Sequence, residues 1–196
     1  MPVKKSITAV ILAGGRGSRL LGADKGLVTF KGMPLVEHVL AAISPQVNNV
    51  MINANRNVEV YQRYGYPVIE DGIADYQGPL AGFACALENA QTDYVATLPC
   101  DSPFISPNYI QRLVDALNHH KTDVAVAFDG QRLQPVHALL SVTLLNSLIE
   151  FINSGERKTF KWYDQLKIAK ADFSDEPEIF NNINTQAQLD KLTDGR

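Results

Sequence analysis

The chain has 196 residues, 45% of them apolar, and a formal net charge of −3. That length and apolar share support one substantial core and a single domain over residues 1–196. The net acidity argues against a nucleic-acid partner, which needs a basic surface, and the two distant cysteines, Cys85 and Cys100, make neither a disulfide framework nor a CxxC zinc pair.

The opening residues 1–6 are basic and lead into an apolar run over 7–13 that ends at Gly14-Gly15-Arg16. The run is too short to span a membrane and reads as a buried strand, so a cytoplasmic protein without a membrane partner is expected. The β-branched stretch 7–12 suits a strand covered on both faces. A Gly-rich, basic loop occupies 14–26. Pro34 then opens a helix whose apolar face carries Leu35, Val36, Val39, Leu40 and Ile43. Short strands are expected at 50–53 and 67–69, with a short helix over 58–64 between them.

A polar loop over 71–79 precedes an Ala- and Leu-rich helix over 80–90. The strand at 94–98 ends at Pro99-Cys100-Asp101, and Pro107 opens a helix lined by Ile110, Leu113, Val114 and Leu117. Strands at 124–128 and 135–140 flank a turn at Gly130. Helical patterns follow over 144–152 and 160–166, then a strand over 168–173 and a last helix over 186–192. Alternating strands and helices predict a three-layer, Rossmann-like α/β fold with a mostly parallel sheet. In such folds ligands bind beyond the carboxyl ends of the strands. The loop from Gly14, Asn53, Asp71 and Asp101 all lie at strand ends, so one rim should collect them.

Glycine turns after a strand expose backbone N–H groups that cradle phosphate oxygens, and Arg19 and Lys25 add charge suited to a triphosphate. The loop is not a Walker A motif, because Gly17 and Gly22 lack the following Gly-Lys-Ser/Thr. It is not GxGxxG either, because Leu20 stands at the last glycine. Asp101 admits two readings, a Mg²⁺ ligand or a turn cap beside Ser102-Pro103, and the glycine loop favours the first. Asn53 and Asp71 either reach base or ribose or serve the turns at their strand ends, and Gly78-Pro79-Leu80-Ala81-Gly82 either lets backbone approach a flat base or is a loop ending in a helix start. Glu156-Arg157-Lys158 with Lys161 is either an anion site or a solvated helix face. Asn182-Ile183-Asn184-Thr185 carries side chains suited to a helix N-cap. His38, His119, His120 and His137 have no metal-ligand spacing and read as structural or solvated. Cys100 reads as a small buried residue, with no partnered base.

Together, Leu12-Ala13-Gly14-Gly15, Arg19, Lys25, Gly78-Pro79-Leu80-Ala81-Gly82, Pro99-Cys100-Asp101 and Asn182-Ile183-Asn184-Thr185 resemble the molybdenum cofactor guanylyltransferase family across nearly the whole chain. Arg19-Leu20-Leu21 departs from the family's usual Arg-Met-Gly. The resemblance implies a Rossmann-like nucleotidyltransferase fold and transfer of GMP from GTP to Mo-molybdopterin, with pyrophosphate released. It implies GTP binding by Leu12, Ala13, Gly14, Gly15, Lys25, Asn53, Asp71, Gly78, Pro79, Leu80 and Asp101, with Mg²⁺ (Mn²⁺ as the alternative ion) on Asp101. Arg19, Lys25 and Asp101 are then the catalytic set, and Arg157, Lys158, Asn182 and Asn184 the candidates for the pterin. Transient contact with molybdenum-insertion proteins and molybdoenzyme chaperones is a further expectation. Two rivals stand beside this reading: a cytidylyl- or sugar-phosphate nucleotidyltransferase on the same scaffold, and a non-catalytic nucleotide-sensing module.

Overall fold

A computed structural model of the protein describes residues 5–14, 24–72, 78–183 and 188. Gly15, Arg19, Asn184 and all of the expected last helix except Gln188 lie outside these residues.

The elements run β1 (Ile7–Leu12), β2 (Thr29–Phe30), β3 (Met33–Pro34), α1 (Leu35–Ile43), β4 (Asn49–Asn53), α2 (Val58–Gln62), β5 (Val68–Ile69), α3 (Pro79–Asn89), β6 (Tyr94–Pro99), α4 (Tyr109–His120), β7 (Val124–Phe128), β8 (Leu133–Ser141), α5 (Leu145–Asn153), α6 (Thr159–Tyr163) and β9 (Ile168–Asp172). Apart from that last helix, the expected strands and helices are present within a few residues of their predicted bounds. The β2–β3 hairpin is an addition, closed by Lys31 and Gly32, both at positive φ. Pro34 ends β3 and caps α1.

Seven strands form one sheet in the order β5-β4-β1-β6-β8-β7-β9. All neighbours pair in parallel except β8, which is antiparallel to both β6 and β7. The sheet is buried on both faces, as its near-continuous apolar strands require. In β1 the side chains alternate: Ala9 and Ile11 pack with α1, Tyr61 of α2 and α4, while Val10 and the partly buried Leu12 pack with α3, α5 and α6. This is the expected three-layer arrangement.

The strand order reverses direction at β1. From β1 the chain moves out to β4 and β5, then returns to place β6 on the other side of β1. A crevice at such a switch point, above the strands' carboxyl ends, is where an open α/β sheet binds its ligand. Pairing of Leu12 with Pro99 sets the ends of β1 and β6 level there.

Candidate active site

Two groups of polar side chains flank this crevice. On the β4 side, Ala13 N–H donates to the Asn53 carbonyl at 2.8 Å. Asn53 Nδ2 donates to Asp71 Oδ1 at 2.9 Å, and Asn55 Nδ2 donates to Asp71 Oδ2 at 2.6 Å. The Asp71 N–H returns a bond to Asn55 Oδ1 at 2.8 Å. Asp71 is thus fixed by two amides, and the Asn53 amide is oriented by Asp71 in turn. Two glycines close on this group. A Cβ on Gly14 would lie 3.0 Å from Asn55 Nδ2, and one on Gly82 would lie 2.6 Å from Asn53 Oδ1 and 2.7 Å from Leu12 Cδ2. Contacts that short exclude any side chain at Gly82 unless Asn53 moves.

On the β6 side the central feature is an ion pair. Lys25 Nζ donates to Asp101 Oδ2 at 3.0 Å, with Asp101 only 5% exposed. Asp101 follows β6 directly, and Cys100 N–H donates to the Leu12 carbonyl at 3.2 Å. The carboxylate therefore stands beside the start of the glycine segment, as the rim argument requires. The Asp101 carbonyl also accepts from Ile183 N–H at 3.1 Å, which brings the 181–183 segment alongside.

Beneath Asp101 lies a buried polar chain. Ser102 Oγ donates to Asn182 Oδ1 at 2.6 Å and stands 3.4 Å from His137 Nε2, while His137 Nδ1 is 3.0 Å from the Tyr109 hydroxyl. Phe180 meets the His137 ring edge-on. Burial pushes the His137 imidazole down to about pH 3, so it is neutral at physiological pH. Its role is structural, as its lack of ligand spacing suggested. Cys100 is buried too, and burial with the neighbouring Asp101 carboxylate raises its thiol, which leaves it inert.

The expected residues fall into three sets. Leu12, Ala13, Gly14, Asn53 and Asp71 meet on the β4 side, and Lys25 and Asp101 meet on the β6 side. Gly78 and Pro79 form the N-terminus of α3, the helix that carries Gly82. Leu80, expected in the nucleotide site through the backbone of its segment, stands in the first turn of α3 and is fully buried in the α3–α5–α6 core. Arg157 and Lys158 are exposed in the turn before α6, whose Tyr163 hydroxyl donates to the Pro135 carbonyl at 2.8 Å near the rim end of β8. Asn182 is bound to Ser102 near Asp101, while Gly15, Arg19 and Asn184 lie outside the described residues. Sequence reasoning missed Asn55, Asp24 and Ser102. Asn55 had a weak signal in its place two residues beyond a strand-end Asn.

No three His, Cys, Asp or Glu side chains among the described residues cluster as a metal cage. A nearly buried carboxylate at the carboxyl end of β6 still fits Mg²⁺, which keeps several waters and takes substrate phosphate oxygens instead of demanding an all-protein shell.

Residues 9–168 match the MobA-like NTP transferase domain family. The chain is 47% identical over 199 residues to the molybdenum cofactor guanylyltransferase of Acidovorax ebreus, covering 95% of this chain and 94% of that protein. It is 47% identical over 193 residues to the protein of the same name in Bordetella pertussis, covering 96% and 98%. In fold it resembles molybdopterin-guanine dinucleotide biosynthesis protein A from Archaeoglobus fulgidus, with a TM-score of 0.80 at 24% identity over 96% of this chain and 97% of that one.

Proposed function

This chain belongs to the MobA-like nucleotidyltransferase family and is a nucleotidyltransferase of molybdenum cofactor biosynthesis, and on that premise we propose that it transfers GMP from GTP to Mo-molybdopterin. The observation that carries the reading is the Lys25–Asp101 pair, which lies at the β1/β6 switch point beside the end of β1, where the glycine segment begins.

An oxygen of the acceptor's terminal phosphate attacks the α-phosphorus of GTP. The new P–O bond forms as the bond to the β-phosphate bridging oxygen breaks, and pyrophosphate leaves. The nucleophile is already anionic at neutral pH, so no side chain has to remove a proton. Catalysis is then positioning and charge neutralisation. Asp101 would hold Mg²⁺, which supplies charge neutralisation across the phosphates. Lys25, with Arg19 and the loop amides, stabilises the charge that collects on pyrophosphate. The Asn53–Asn55–Asp71 group and the start of α3 suit the nucleoside, because oriented amides and a close glycine backbone read a flat, polar base. Arg157, Lys158, Asn182 and Asn184 are assigned to the pterin substrate.

The test is nucleotide-dependent thermal stabilisation with GTP, CTP, UTP and ATP, each with Mg²⁺, because a ligand that binds the native state raises its apparent stability. The largest rise is expected with GTP. A larger rise with CTP would replace the guanylyl reading with the cytidylyl one. Release of pyrophosphate on adding purified Mo-molybdopterin separates an enzyme from a nucleotide sensor.

A further inference from the structure

Lys25 is flanked by a carboxylate with a separate task. Asp24 is 8% exposed, and its side chain points away from the crevice toward α2. The Tyr61 hydroxyl donates to Asp24 Oδ1 at 2.5 Å, and Asn57 Nδ2 donates to Oδ2 at 3.0 Å. Both carboxylate oxygens are therefore bound by α2 and its N-cap. Tyr61 is fully buried, and burial raises its phenol far above physiological pH, so it remains a donor. Asn57 holds the left-handed conformation, at φ 52°, that Asn tolerates better than most residues.

The backbone between these anchors is tight. Residues 24–28 form a single turn, with Leu27 N–H on the Asp24 carbonyl at 3.1 Å and Val28 N–H on the Lys25 carbonyl at 3.2 Å. A Cβ on Gly26 would lie 2.5 Å from the Tyr61 hydroxyl and 3.3 Å from Cys100 Cβ. The turn is thus threaded between α2 and the Cys100-Asp101 corner, with no room for a side chain at Gly26. Asp24 faces one wall and Lys25 faces the other, where it meets Asp101.

We propose that Asp24 is a positioning residue for Lys25: its carboxylate, gripped by Tyr61 and Asn57, fastens the turn to α2 so that the lysine ammonium reaches the phosphates of the bound nucleotide. The inference rests on the GMP-transfer reading and adds to it the residues that aim its cation.

A double-mutant cycle on the full chain tests this, with kcat for GMP transfer as the readout and thermal melts monitoring the fold. Lys25→Ala is expected to lower kcat about 100-fold. Tyr61→Phe keeps the ring and loses one bond to Asp24, and about a tenfold loss is expected from a lysine set slightly off target. Combining them should be no slower than Lys25→Ala alone, because Tyr61 acts on the rate only through the lysine. Asn57→Gly keeps the positive φ and removes the amide, so it serves if Tyr61→Phe folds poorly. The same non-additivity is expected from it. An active wild type in which the two losses multiply overturns the positioning role and leaves the GMP-transfer reading intact. A wild type that transfers no GMP from any acceptor preparation overturns both.

Discussion

The two sides of the crevice solve different recognition problems with different chemistry. On the β4 side, Asn53, Asn55 and Asp71 satisfy one another in a closed hydrogen-bond group, with the glycine backbones of Gly14 and Gly82 pressed against it. On the β6 side, Lys25 and Asp101 face each other as unlike charges, above a neutral support of Ser102, His137 and Tyr109. Oriented amides discriminate hydrogen-bonding patterns, and leaving one unpaired is costly. Opposed charges in a partly dry site stabilise charge that moves during reaction. The comparison implies that damage on the β4 side should appear in nucleotide binding, and damage on the β6 side in turnover.

The largest effect is expected from Asp101→Ala. The carboxylate that pairs with Lys25 and would hold Mg²⁺ is lost, so kcat should fall by about 10²–10³-fold and its response to added Mg²⁺ should flatten. The backbone bond from Ile183 N–H to the Asp101 carbonyl is untouched by the substitution, so the melting curve should remain cooperative. Steady-state assays over a Mg²⁺ titration give the answer, and turnover near wild type would remove Asp101 from the catalytic set.

Gly82→Ala probes the other side. Its Cβ would sit 2.6 Å from Asn53 Oδ1 and must push that amide out of line. We expect KM for GTP to rise about tenfold, by the loss of one oriented hydrogen-bond group, with kcat changed far less. An equal loss in kcat with KM constant would erase the division of labour between the two sides.

This division was only half legible in the sequence. The rim could be read because β1 and β6 are continuous apolar runs that stop abruptly, one at Gly14 and the other at Pro99-Cys100-Asp101. Strand ends with such punctuation identify themselves. The fastening of Lys25 could not be read, since Asp24 and Tyr61 are 37 residues apart and meet only because α2 packs against the sheet. The β2–β3 hairpin escaped for another reason: two-residue strands are too short to show period-two alternation. His137 was legible in kind, as a residue with no ligand partners, but its link through Ser102 to Asn182 depends on the 181–183 segment folding back across Asp101.

His137 gives the smallest effect and a separate kind of evidence, since it supports the β6 side without touching the crevice chemistry. Its folded imidazole titrates near pH 3 against an ordinary value of 6.5. Above pH 6.5 both folded and unfolded chains carry it neutral, so it adds no pH dependence. As pH falls below 6.5 the unfolded chain takes up a proton that the folded chain refuses, and stability drops by about 1.4 kcal/mol per pH unit until the folded value is reached. His137→Phe preserves a ring beside Phe180 but deprives the buried Tyr109 hydroxyl of its partner, so at pH 7.5 the variant should be less stable by about 1–3 kcal/mol. Between pH 6 and pH 4 that deficit should shrink, because the variant lacks the imidazole's acid penalty. The carboxylates held below their usual range, Asp93, Asp129, Asp172 and Asp175, weaken both proteins alike in acid and cancel from the difference. Urea unfolding of the two proteins at pH 7.5, 6, 5 and 4 measures the gap, and curves that stay parallel over this range would show that the imidazole is not held neutral beneath Asp101.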